Sequence, residues 1–185
     1  VSQRAQLIKN GPMGAMLSIA LSEEAARTLL RETALELDIA AVNGNEQCVL
    51  AGTLTVIEEM RSLLATREIP NRQLPMPFAY HSRLMQSLAK QLETLLATIP
   101  LQPPQIPMTP CIDSLRPVRF SAGLHSIAAE GIRCFLEIGP GEALTQLVRR
   151  TLISAAHVDT ATTGIASIEY CAIASQSTKR ERNDG

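Results

Sequence analysis

The chain lacks an excess of either charge, a long apolar run, paired cysteines and a glycine-rich phosphate loop, and each absence removes a class of function. Lysine and arginine number 17 against 18 acidic residues, so no overall field draws the chain to nucleic acid or to an anionic membrane. No apolar stretch reaches the roughly 18 residues that a membrane span requires. The cysteines, Cys48, Cys111, Cys134 and Cys171, are scattered without a CxxC pair. That spacing suits neither a zinc site nor a disulfide scaffold, and a cytoplasmic, reducing compartment is expected. Neither GxxxxGK(S/T) nor GxGxxG occurs, which speaks against nucleotide binding through those loops. There is no internal repeat. No apolar leader or methionine opens the chain at Val1, so no targeting peptide is visible and the sequence reads as a piece of something longer.

What is present is a globular composition. With 45% hydrophobic residues in 185 positions, the chain can bury a real core as one domain or two small ones. Residues 13–77 carry a repeated rhythm. Met13 to Leu21 is an apolar run of strand length. Ser22 offers an N-cap with Glu23 and Glu24 behind it, and a helix is expected over 25–36. Residues 37–42 predict a strand, Asn43-Gly44-Asn45 a tight turn, and 46–51 the returning strand. Thr55 with Glu58 has the spacing of a capping box for a helix ending near Thr66. Residues 73–76 make a last short strand. The order is β-α-β-β-α-β, the split arrangement of a ferredoxin-like domain.

A second region begins at Pro77-Phe78-Ala79-Tyr80-His81-Ser82-Arg83-Leu84-Met85. Histidine is the side chain whose ordinary pKa lies near neutrality. At a junction into a helix His81 could serve as a rigidly held general base, or simply pack. Leu84, Leu88, Leu92, Leu95, Leu96 and Ile99 recur at helical spacing up to Pro100. A proline-rich stretch follows, then an expected helix over 121–130, a buried strand over 133–138, and a helix over 143–152. Between these last two, Gly139-Pro140-Gly141 could present free backbone N–H groups to a ligand, or could only need glycine's dihedrals. Residues 153–185 read as an irregular tail with a charged end.

Several of these segments, in this order, resemble the acyltransferase domains of polyketide synthases and the malonyl-CoA:acyl carrier protein transacylases. They are QRAQLI around Arg4, GAMLSIAL at 14–21, VNGNEQCVLAG at 42–52, FAYHSRLM at 78–85, RPVRF at 116–120 and FLEIGPGEALTQLVRR at 135–150. The resemblance covers most of residues 1–152. It implies an α/β fold with an α+β insert: a ferredoxin-like small subdomain at 13–77 and part of an α/β hydrolase-like core at 1–12 and 78–152. It implies a ping-pong acyl transfer as well. A serine takes malonyl from coenzyme A and passes it to the phosphopantetheine thiol of an acyl carrier protein, with no resident cofactor or metal. A hydroxyl is a poor nucleophile at neutral pH and needs a base beside it. His81 stands at the family's histidine, and Arg4 stands at the arginine that pairs with the malonyl carboxylate through its two-pronged guanidinium. The resemblance places Phe78 and Tyr80 among the substrate selectors, where bulky Tyr80 favours malonyl over methylmalonyl. Asn43 falls near the cleft, as support or as a turn former. Phe78 matches neither common selector pattern.

Two departures qualify this. No serine of the chain has glycine two places away on both sides, so the GxSxG nucleophile is missing. The aromatic segment that the family carries between Asp113 and Arg116 is reduced to Ser114 and Leu115, in keeping with the absence of tryptophan. The chain is therefore expected to be an inactive fragment by itself, covering the family's last two thirds. The alternatives are a non-catalytic module that binds carrier protein or neighbouring synthase domains, and an unrelated ferredoxin-like domain.

Overall fold

Short apolar runs and the residues that punctuate them decide the elements of this chain. The computed structural model describes residues 2–100, 102–109, 111, 117–139, 141–156 and 169–174. The reduced connection at 113–116, Pro140 and the charged end of the tail lie outside the described residues. The chain divides into two compact units, 1–123 and 124–185, which are described separately.

The first unit opens with helix α1 (Ser2–Lys9) and strand β1 (Ala15–Ile19). Ser22 then caps helix α2 (Glu23–Thr33), its Oγ accepting the Ala25 N–H at 3.2 Å. Strands β2 (Asp38–Gly44) and β3 (Gln47–Gly52) form a hairpin, helix α3 (Leu54–Thr66) returns, and strand β4 (Asn71–Gln73) closes the motif. Strand order is β2-β3-β1-β4 and every pairing is antiparallel. This is the ferredoxin-like arrangement expected from the sequence.

Three local expectations shift. The turn falls on Asn45 and Glu46, with Gly44 paired to Gln47, so Asn43 belongs to β2. Two bulges in β2, between Ile39 and Ala41 and between Val42 and Gly44, lengthen the strand past the dipeptide that looks like its turn. Helix α3 is capped by Thr53, whose hydroxyl accepts the Val56 N–H at 3.5 Å. Thr55 is thus inside the helix, because Gly52 ends its strand early enough for Thr53 to take the extended cap conformation. Strand β4 precedes residues 74–76, since pairing with Ile19 and Leu17 selects Asn71 and Gln73.

The pleat sorts β1 onto two faces. Ala15, Leu17 and Ile19 join Leu50, Cys48, Ile57, Met60 and Leu64 in a core under α2 and α3. Burying each large aliphatic side chain stabilises the fold by about 1.5–3 kcal/mol. Met16 faces the other way, with Val49, Ala51, Ala40 and Ala79. Both faces of β1 are covered, which is why its sequence is apolar apart from Ser18. The second face receives the chain after β4: Leu74, Met76, Tyr80 and Leu84 pack there, and Val118 closes the outer edge of β2 through bonds to Ala40 and Val42. A 3-10 turn (Arg83–Met85) leads into helix α4 (Gln86–Leu96). The leucine stripe of α4 is only half covered, and Ile99 is 45% exposed.

Helix α5 (Phe120–Ala129) begins in the first unit and ends in the second. Within the second unit, strand β5 (Cys134–Gly139) leads to helix α6 (Ala143–Ala156) and pairs in parallel with strand β6 (Glu169–Ala174). Strand β6 lies in the stretch expected to be irregular. Its partner is 35 residues earlier in register, Cys134 opposite Glu169, and such non-local pairing leaves no local signal.

Candidate active site at the His81 turn

The chain leading to His81 packs on the face of the sheet opposite α2 and α3, and the cavity that His81 borders is lined in part by residues of α2. Pro77 holds the incoming chain against β1, its carbonyl accepting the Gly14 N–H at 3.0 Å. A Cβ on Gly14 would meet the Ala79 Cβ at 2.7 Å and the Gly52 carbonyl at 2.8 Å. Only glycine there lets Ala79 reach full burial. The rings of Phe78 and Tyr80 then lie 5.9 Å apart at 57°, an inclined contact that aromatic quadrupoles favour. Phe78 and Tyr80 are both half-buried.

His81 follows with φ +57°. A non-glycine residue in the left-handed region is under strain and persists only where its surroundings enforce it. Two contacts do so. The buried Ser82 hydroxyl donates to the Ala79 carbonyl at 2.6 Å, closing the turn. Asp38, the first residue of β2, accepts the Arg83 main-chain N–H at 2.8 Å and guanidinium N–H groups at 3.1–3.2 Å.

Between them the imidazole faces a cavity of about 570 Å³ with an apolar floor of Leu30, Leu37 and Ile39. Partial burial, and after it the positive charge of Arg4, hold the His81 pKa below its ordinary value. The ring is therefore neutral at neutral pH and able to accept a proton. Arg4 itself is exposed on α1, and the structure thus relates it to His81 through its charge. Arg27 and Arg31 edge the same cavity. Arg27 is paired with Glu23, which also binds Arg119. Arg119 is the main cause holding the Glu23 carboxyl below its usual range. Asn43 stands in β2 beside Val42, whose N–H bonds the Val118 carbonyl at 2.8 Å.

Two further groups are occupied by the fold itself. Cys48 is fully buried, and burial is the main cause pushing its thiol up to about 11, so it packs and does not attack. The first N–H groups of α6 that follow the glycine turn are taken up within the chain. The Glu137 carboxylate accepts from Leu144 N–H at 3.1 Å, Thr145 N–H at 2.9 Å and the Thr145 hydroxyl at 2.7 Å. Those bonds hold the Glu137 pKa down. A carboxylate of the chain itself fills the place of an outside anion.

Sequence reasoning did not find Asp38, Arg83 or Glu137. Asp38 stands 45 residues from Arg83, and its only signal is a lone charge opening an otherwise apolar strand. Among the described residues no three His, Cys, Asp or Glu side chains gather as metal ligands. Among them, too, no helix is long and apolar enough to cross a membrane.

No family model matches the chain. A phenolphthiocerol/phthiocerol polyketide synthase protein of Mycobacterium tuberculosis is 30% identical over 165 residues, 78% of this chain and 11% of that protein. The acyltransferase domain from the second module of the salinomycin polyketide synthase superimposes with TM-score 0.73 at 31% identity, over 81% of this chain and 39% of that one. An acyl-carrier-protein S-malonyltransferase of Burkholderia pseudomallei gives TM-score 0.71 at 26% identity, over 80% and 56%. The chain spans about a tenth of the length of the first of these relatives.

Proposed function

We propose that this chain, a homologue of polyketide synthases with the fold of their acyltransferase domains, supplies the proton acceptor and the carboxylate anchor of a malonyl transfer from coenzyme A to an acyl carrier protein. In this reading residues 13–77 are the small subdomain, and 1–12 with 78–152 are part of the catalytic core. The observation that carries it is His81: strained, half-buried, neutral and facing a cavity. Such a ring takes the proton of a serine hydroxyl as that oxygen attacks the thioester carbonyl, and returns it to the departing coenzyme A thiolate. In the second half it takes the proton of the phosphopantetheine thiol and returns it to the serine oxygen. Arg4 offers two parallel N–H donors to the malonyl carboxylate. Tyr80, its ring inclined against that of Phe78, crowds an α-methyl branch and favours malonyl. Asn43 adds a polar group on β2. Free thiols suit a reducing cytoplasm.

The 185 residues contain no GxSxG, so the attacking serine has to come from other sequence, and the chain by itself forms no acyl-enzyme. That same absence favours a second reading, a non-catalytic module that binds carrier protein or neighbouring synthase domains. One experiment separates the two. The part of the salinomycin second-module acyltransferase domain that this chain does not cover is joined ahead of this chain and malonyl transfer to carrier protein is followed. Transfer that falls by about 10²–10⁴ in His81→Ala supports the catalytic reading. Transfer indifferent to His81→Ala overturns it, and carrier binding without transfer assigns the binding module.

A further inference from the structure

We propose that Asp38 is the positioning residue for His81: by clasping Arg83 from β2, it holds the imidazole-bearing turn in its left-handed conformation. Ser82 stands at the N-cap of the 3-10 turn that starts at Arg83, yet its side chain makes no cap bond there. Its hydroxyl is turned the other way, to the Ala79 carbonyl. The open cap position is filled from 45 residues away, because Asp38 Oδ2 accepts the Arg83 N–H at 2.8 Å. The same carboxylate accepts from Arg83 Nε and Nη2, at 3.2 Å and 3.1 Å. His81 is thus gripped on one side by a bond inside its own turn and on the other by a strand of the sheet. Asp38 lines the same cavity as the imidazole, so the clasp and the ring share one wall.

The effect is one of geometry more than of stability. The side chains of the pair are 59% and 26% exposed, and ion pairs so open to water add little to folding. Removing Asp38 leaves the Arg83 N–H without its acceptor and lets the left-handed residue relax, which swings the ring out of the cavity. A merely structural pair would not move that ring. The consequence for acyl transfer rests on the reading of His81 as proton acceptor, whereas the clasp itself does not.

The test follows the His81 ring resonances of the full chain by NMR across a pH titration, assigned with His81→Asn. Arg4 of α1 acts on the ring through its charge, and the charged groups lining the cavity beside it are Arg27 and Arg31 of α2, Asp38 of β2, and Arg83. In the unmodified chain the ring titrates below the ordinary imidazole value. Loss of the Asp38 carboxylate by itself lowers the midpoint, whereas release of the ring into water raises it. Asp38→Asn removes the charge and keeps an acceptor for the Arg83 N–H, and Asp38→Ala removes both, so the Asp38→Ala midpoint is expected above that of Asp38→Asn, with the amide resonances of β1 and β3 in place. If Asp38→Ala does not fold, Asp38→Ser, which removes the charge and is too short to reach the Arg83 N–H, takes its place. Equal midpoints in the two folded variants overturn the clasp, whatever transfer does. Transfer indifferent to His81→Ala would remove the catalytic reading and leave this result standing.

Discussion

At the scale of single residues, the position of His81 depends on a glycine some 67 residues earlier in the chain. Gly14 sets how deeply the chain carrying His81 sinks into the sheet, because a methyl group there would run into Ala79 and the Gly52 carbonyl at once. Neither obstacle is the free end of a flexible side chain. Gly14→Ala is therefore expected to lower stability by about 1–3 kcal/mol, the usual cost of overpacking. The urea midpoint reads this directly, and an unchanged midpoint would contradict the packing of Ala79 on β1. The short GAMLSIAL run shows an apolar strand. It does not show that its glycine underlies the turn that carries His81.

At the scale of elements, caps explain most boundaries. Ser22 is legible because a serine ahead of two glutamates matches a helix start. Thr53 is less so, since Thr55 with Glu58 offers an equally good local pattern and only the end of β3 decides between them. Glu137 is of a third kind, a strand residue that caps the next helix across a glycine turn. Its folded pKa lies below the ordinary 4.5. The bonds it accepts are therefore present above that value and are lost as pH falls through the lower, folded one. Amide exchange at Leu144 and Thr145 should quicken, beyond its intrinsic rate, as the pH falls through that folded value. Glu137→Gln, with one uncharged acceptor oxygen, should show faster exchange at neutral pH and a flatter acid response. Equal protection in both proteins would remove the cap.

For the whole molecule, the second unit carries a feature that its sequence does not announce. Strand β5 turns Leu136 and Ile138 to solvent, 52% and 87% exposed, although parallel strands are ordinarily covered on both faces. An apolar face of this sort promotes self-association. Ile138→Lys is expected to reduce binding of a hydrophobic dye and light scattering of the chain without changing its far-ultraviolet circular dichroism. No change in either would show that the face is not what limits solubility.

The sequence by itself determined the split β-α-β-β-α-β unit, because helical and strand periodicities and their caps are local. Its ordered motifs named His81, Arg4, Tyr80 and Phe78 as candidates, and a GxSxG is absent from them. The tertiary structure alone decided that Asn43 is a strand residue and that β6 pairs with β5. It also decided that Glu137 caps α6 and that Asp38 grips the turn of His81. These outcomes depend on contacts between residues far apart in the chain, and no local pattern of residue types encodes which distant partner will be within hydrogen-bonding reach. His81 was visible as a histidine before a helix. Its strained backbone, lowered pKa and cavity came from the sheet on which it is folded.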